Sequence, residues 1–391
     1  MAAQRVIFHC DCNSFYASVE LLTRPELKNV PVAVCGNPQH RHGIILAKNE
    51  AAKKYGIQTA ETVASARRKC PQLALLPPHH ELYRAYSKQV NAIYARYTEF
   101  VEPFGIDESW LDMTASWHLF GPSPVAVAHR IRREVKAQTG LTISVGVSFT
   151  KAFAKLGSDY KKPDAVTEFS PENYRQLVWP LPVDALLYVG HSARQTLGKL
   201  GIELWGFARG EEGSPVRSMY EKREVKSVGN GLTFPRDLTT LADARAGLVA
   251  LSDEVASRLR AHGLYAGAVQ ITVKDAGFKT ITRQAQLATP THLAKDIAAA
   301  ALTLLQQNWR FPAPIRMLTV TALNVSHSAA AQLSLFAPEA GQEDVRRESL
   351  EKSLDSIRGK FGKSAIASAS VLRADMGLGG LKIKENRKKG E

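Results

Sequence analysis

Three acids carry most of the chemistry legible in this sequence. Asp11 ends the largely apolar run Arg5-Val6-Ile7-Phe8-His9-Cys10, and Asp107 and Glu108 sit side by side within Phe104-Gly105-Ile106-Asp107-Glu108-Ser109-Trp110-Leu111-Asp112. Carboxylates gathered at one point repel, at a cost of several kcal/mol unless a cation neutralises them. Hard oxygen donors select Mg2+ over softer ions, so three converging acids of this kind make a two-metal site. An acid standing alone is ordinarily a solvated turn residue, so the reading rests on convergence.

The elements that must bring them together are short. The run ending at Asp11 reads as a strand, and the apolar residues between Gly105 and Thr114 suit a β-hairpin with Asp107 and Glu108 at its bend. After Asp11, Asn13 and Ser14 are candidate caps for a helix through Glu20, whose exposed N–H groups can hold a phosphate. Strands at Val30–Gly36 and Gly43–Ala47 and a helix closed by Gly56 form a small basic lobe. Leu82, Ala85, Tyr86, Val90, Ile93 and Tyr97 have helical spacing, and Val125–Thr139 repeats the signal before the strand Leu141–Val147. Together these predict an α+β domain with helices on one face of a mixed sheet.

Further along, Lys151, Lys155 and Ser158 share a helical face, either a phosphate site or a solvated surface, and Lys162 precedes a proline. Two short apolar helices meet at Gly190, as in a helix-hairpin-helix that holds a DNA phosphate through backbone N–H groups, or as in an ordinary helix pair. Beyond a charged linker, strands and helices alternate as β-α-β-β-α-β, with Lys274, Lys279, Arg283 and Arg316 expected to make the uncovered face basic. Gln332-Leu333-Ser334-Leu335-Phe336 can fill a pocket on a partner or pack on its own domain. A last helix from Asp344 to Phe361 and a strand-like Ser364–Leu372 precede a basic tail, Lys382–Lys389, that reads as disordered.

A chain of 391 residues accommodates two to four domains. A net charge of +14 calls for an anionic partner, and nucleic acid fits better than a membrane because no basic amphipathic anchor and no bilayer-long apolar run occur. The N-terminus has no signal-peptide pattern, which points to the cytoplasm. Cys10, Cys12, Cys35 and Cys70 lack the second pair of a zinc site and read as reduced thiols.

Taken in order, Asp11-Cys12-Asn13-Ser14-Phe15-Tyr16-Ala17-Ser18-Val19-Glu20, Ile106–Asp112, Ser144-x-Gly146-x-Ser148 leading to Lys155 and Lys162-Pro163, and the turn at Gly190 resemble the Y-family of translesion DNA polymerases, closest to the bacterial DNA polymerase IV type, over nearly the full length. The resemblance implies a right hand: palm (1–12 and 79–168), small fingers (13–78), helix-hairpin-helix thumb (169–222), linker (223–228), α/β little finger (229–326) and a tail (327–391) with a clamp-binding peptide. It implies that Asp11, Asp107, Glu108 and the Cys12 carbonyl hold two Mg2+ ions, and that Asn13, Ser14, Phe15, Tyr16, Lys53 and Lys162 hold the incoming dNTP, with Tyr16 as steric gate against ribose. DNA contacts fall at Gly190, Lys274 and Arg283, and Gln332, Leu333, Leu335 and Phe336 would engage a bacterial sliding clamp. The resemblance departs from the family pattern at Asn13, where many members carry an acid, at Gly105, at Trp110, and at Glu50, where a tyrosine often faces the triphosphate. The expectation is thus a monomeric, low-fidelity DNA polymerase working on primer-template DNA. A non-catalytic DNA- and clamp-binding scaffold and a two-metal nuclease are the competing readings, and Tyr16 and Lys162 argue against the nuclease.

Overall fold

The structure, a computed structural model, describes residues 4–37, 43–182, 185, 206–221, 224–328, 342–362 and 365–366. The expected helix pair at Gly190, the peptide Gln332–Phe336, most of the strand-like Ser364–Leu372 and the basic tail lie outside them. The chain divides into two compact units, Met1–Lys222 and Arg223–Glu391.

The first unit is organised on a five-stranded sheet in the order β5-β6-β1-β7-β8: β1 (Ile7–Cys12), β5 (Val101–Pro103), β6 (Glu108–Asp112), β7 (Ile143–Ser148) and β8 (Val166–Phe169). β1 lies in the middle, antiparallel to both β6 and β7, while β7 and β8 are parallel, so the sheet is mixed. Alternation along β1 sends Phe8, Cys10 and Cys12 to one face and Ile7, His9 and Asp11 to the other. The first face is buried with residues of α1 (Phe15–Leu22), α4 (His80–Tyr94) and α5 (Pro124–Thr139), in a cluster that includes Val19, Tyr83, Val90, Ile131, Val145 and Val147.

Helices on one face only were expected, and the structure differs. The second face is covered by α6 (Lys151–Tyr160), and Gly146 explains how closely. A Cβ at Gly146 would overlap the Ala154 carbonyl oxygen and crowd the Ser158 nitrogen, so only glycine lets α6 lie flat on β7. That contact sets Lys155 and Ser158 above the end of β1. The Thr150 side chain caps α6 by accepting from the Phe153 N–H, and the Glu212 carboxylate accepts from the Lys151 N–H at 3.0 Å.

A smaller three-stranded sheet, β3-β2-β4, is formed by β2 (Val32–Cys35), β3 (Ile45–Lys48) and β4 (Ala74–Leu76). With it pack α2 (Glu50–Lys53), capped by Asn49, and α3 (Val63–Lys69), capped by Thr62. The sequence reading had neither α3 nor β4. A short helix, α7 (Tyr174–Leu177), follows β8.

The second unit has the expected β-α-β-β-α-β order: β9 (Ser227–Leu238), α8 (Leu241–Ala261), β10 (Tyr265–Asp275), β11 (Thr280–Thr291), α9 (Ala294–Asn308) and β12 (Ile315–Ser326). Its strands form an antiparallel sheet in the order β11-β10-β12-β9, and the helices bury Val269, Ile271, Val273, Leu318 and Val320 on one face. β9 starts at Ser227, inside the expected linker. A final helix, α10 (Gln342–Phe361), is tied to this unit through Arg260, which meets Glu351 and Asp355, and through Arg358 to Asp253 at 2.7 Å.

Candidate active site

The register of β1 against β6 sets Asp11 directly opposite Glu108 and His9 opposite Trp110, all on the face beneath α6. One donor atom each from His9, Asp11 and Glu108 lies within 4.8 Å of the others. Asp107 stands in the turn just before β6. Its carbonyl accepts the Cys12 N–H at 2.9 Å, which ties the hairpin tip to the end of β1. Its carboxylate is outside the 4.8 Å group yet close enough to feel it. Burial, reinforced by the charges of Asp11 and Glu108, pushes the Asp107 carboxyl up to about 6.

Two lysines answer the acids. Lys155 reaches down from α6 with its Nζ 2.5 Å from Glu108 and 3.2 Å from Asp11, and Lys162 lies 2.8 Å from Asp11 and 2.7 Å from Asp159. Burial by itself would raise Glu108, but the His9 imidazole facing it and the Lys155 ammonium hold its carboxyl down at about 2. Burial likewise would lower Lys155, and Asp11, Asp159 and Glu108 outweigh it and keep the ammonium charged. The shared face of Lys151, Lys155 and Ser158 is therefore turned toward the sheet and is not a free phosphate surface. Lys151 lies over the Trp110 ring, 4.4 Å from its centroid, and pairs with Glu102 at 2.7 Å.

His9 was not singled out from the sequence. Its Nε2 faces Glu108 at 3.3 Å and its Nδ1 meets the Ser158 hydroxyl at 2.8 Å, while that hydroxyl donates to the Lys155 carbonyl at 2.7 Å. Burial lowers the imidazole's pKa, offset in part by Glu108. Strand alternation carried the signal, because a histidine two residues before Asp11 must share its face.

The turn after β1 carries the residues expected at the nucleotide. Asn13 is buried, donates to Ser144 at 2.9 Å and accepts the Asp164 N–H at 2.8 Å. Ser14 takes a left-handed conformation (φ 49°) at the N-cap of α1, and its side chain forms no cap; instead its hydroxyl meets Glu50 at 3.4 Å. Phe15 packs into the core, and half-buried Tyr16 stacks on Tyr83. Lys53 pairs with Glu50 at 2.5 Å. Asp112 accepts the Thr114 N–H at 2.9 Å, a turn contact.

The second unit corrects one expectation. Register pairs Thr272 with Thr282 and Thr319, and Gln270 with Gln284 and Thr321, on the face opposite the core, while Arg283 pairs with core Ile271 and bonds Asn308 at 2.9 Å. Arg283 thus sits at the helix-covered side, and Arg316 lies over the exposed Phe278 ring. The open face carries threonine and glutamine side chains, with Lys274 among them opposite Thr280 and Met317.

The acid cluster fits a hard divalent cation. Its donors are carboxylate oxygens with a single imidazole beside them, and a bound cation would offset the burial and the like charges that raise Asp107.

Residues 10–159 match the impB/mucB/samB family, and residues 225–335 match the impB/mucB/samB family C-terminal domain. The chain is 43% identical to the DNA polymerase IV of Acetivibrio thermocellus, covering 96% of this chain and 99% of that relative. It is 34% identical to the DNA polymerase IV 2 of Bacillus subtilis, with 96% of each covered. Among solved structures, a Y-family DNA polymerase chimera has the same fold at a TM-score of 0.71 and 19% identity, covering 82% of this chain and 99% of that one. Among the described residues, no helix is long and apolar enough to cross a membrane.

Proposed function

The chain belongs to the impB/mucB/samB family of Y-family DNA polymerases, and from that premise we propose that the cluster under α6 is its nucleotidyl-transfer centre. It is a DNA-directed DNA polymerase, acting on DNA; members of this family are metal-dependent. The observation that carries the assignment is the cross-strand pair Asp11–Glu108, with Asp107 pushed up to about 6 beside it.

Asp11, Asp107 and Glu108, with the Cys12 carbonyl, would hold two Mg2+ ions. Bound there, the ions would lower the pKa of the primer 3′-hydroxyl and neutralise charge developing at the α-phosphate. The protein's own groups do the positioning. His9, fixed by Ser158, orients Glu108, and Lys155 pairs with both strand-end carboxylates. Lys162, more exposed at 30% than Lys155 at 16%, would turn toward a triphosphate by leaving Asp11 and Asp159. Asn13, Ser14, Phe15 and Lys53 would line the nucleotide, Lys53 by leaving Glu50. Tyr16 is the gate, its ring occupying the space of a ribose 2′-hydroxyl.

The first unit would then supply palm (1–12 and 79–168), fingers (13–78) and thumb (169–222, with Gly190), and the second unit the little finger, where Lys274 holds a DNA phosphate. Loose enclosure by a small fingers lobe would give low fidelity and lesion bypass in a cytoplasmic, monomeric enzyme tethered to a sliding clamp by Gln332–Phe336. Primer extension with Mg2+ and dNTPs tests the centre. Asp107→Ala should lose at least about a hundredfold in rate, and extension at the wild-type rate would refute the assignment.

A further inference from the structure

Glu20 is a carboxylate with 1% exposure on a helix that also carries Tyr16, and nothing in the transfer chemistry accounts for it. Burying a charge is unfavourable unless it is fully hydrogen-bonded, and a plain apolar helix contact would pack α1 on α4 at lower cost. Three donors meet this one: the Tyr83 hydroxyl at 2.5 Å, His79 Nδ1 at 2.7 Å and Arg24 Nη1 at 2.6 Å. Burial would raise the Glu20 carboxyl, but these hydrogen bonds keep it below its ordinary value and so ionised.

The network ends on the gate. Glu20 lies one turn beyond Tyr16 on α1, on the same side. Tyr83, fully buried on α4, holds its hydroxyl against Glu20 and its ring flat against Tyr16, with centroids 4.0 Å apart and planes 16° from parallel. His80 closes the edge of both rings, 5.8 Å from each. Holding the hydroxyl fixes the far end of the Tyr83 ring, and the Tyr16 ring stacked on it is positioned with it.

We propose that Glu20, acting through the Tyr83 hydroxyl, sets the position of the Tyr16 ring and thereby how strictly a ribonucleotide is refused. The inference rests on the reading of Tyr16 as the sugar gate. Glu20 and Tyr83 are positioning residues, since neither needs to touch the sugar. The difference being sensed is a single hydroxyl, so a gate displaced by about 1 Å loses much of its selectivity.

The test is kcat/KM for a dNTP and for the matching rNTP opposite one template base, in the wild type, Tyr83→Phe, Glu20→Gln, Tyr16→Ala and the double variant Tyr16→Ala/Tyr83→Phe. Tyr83→Phe keeps the ring and removes only the hydroxyl, so it serves even where Glu20→Gln fails to fold. Tyr16→Ala should lower the deoxy/ribo ratio on the order of a hundredfold. Tyr83→Phe should lower it about fivefold to tenfold, with ribonucleotide use rising by more than deoxynucleotide use falls. Glu20→Gln should act in the same direction, and Tyr83→Phe should add nothing once Tyr16 is alanine. A lowered melting temperature with the ratio intact, or equal losses for both sugars, would make the network a helix staple and overturn the inference while the gate reading stands. An unchanged ratio in Tyr16→Ala would remove the gate reading and this inference with it.

Discussion

The sheet around β1 and the sheet of the second unit are built from similar parts and handle charge in opposite ways. In the first, helices cover both faces, and acids and lysines are gathered at a strand end under α6. In the second, helices cover one face, and the other carries threonines and glutamines with Lys274 at its end. Charges concentrated in a partly dry place interact strongly enough to shift one another's ionisation, which suits a reaction centre. Threonine hydroxyls and glutamine amides are groups that hydrogen-bond phosphates without reading bases, and Lys274 is the cation beside them.

Glycine substitution exposes the difference most strongly. Gly146→Ala should cost about 3 kcal/mol or more, because the new Cβ runs into the backbone of α6, which cannot yield without lifting Lys155 from the acids. Gly231→Ala in the second sheet meets the Thr319 hydroxyl and should cost about 1 kcal/mol. Urea unfolding of both variants checks the contrast, and equal losses would break it.

The acid cluster should also leave a mark on stability. Asp107 has a folded value of about 6 against an ordinary 3.8, so its ionised form opposes folding. A raised carboxyl favours the fold while protonated, and that advantage disappears as pH climbs from about 4 through 6. Metal-free Asp107→Asn should therefore be more stable than the wild type at pH 7.5, on the order of 1–2 kcal/mol. The gap should close near pH 4 and shrink when Mg2+ is added, as measured by thermal melts across pH. No comparable effect is expected from acids of the second sheet.

The smallest effect belongs to DNA holding. Lys274→Ala should weaken primer-template binding a few-fold and reduce the salt slope by about 1, while Arg283→Ala, turned toward Asn308, should change it less than about twofold. Filter binding over a salt series separates them, and a larger loss for Arg283→Ala would restore the original expectation.

Much of this was legible because it lies in local pattern. The acids at Asp11, Asp107 and Glu108 sit at strand ends bounded by apolar runs, and the β-α-β-β-α-β order follows from alternating periodicities. Arg283 was misplaced although its parity with Ile281 and Ala285 put it on the covered face; in an edge strand rich in polar residues that alternation is faint. Glu20 reads as a surface helix acid, since its burial depends on His79 and Tyr83, about sixty residues away. The cover of α6 was hidden for a similar reason: its lysines look solvated until Gly146 is seen to admit the helix. The strand β4 is three residues long, too short for a period to register.

The central claim is that the Asp11–Glu108 pair is the reaction centre, and single-turnover primer extension with Asp11→Asn at saturating Mg2+ and dNTP tests it most directly. Asn keeps the size and the β1 register while removing the charge. The account predicts a fall in rate of about a thousandfold with primer-template affinity retained. A rate within about threefold of the wild type would contradict it.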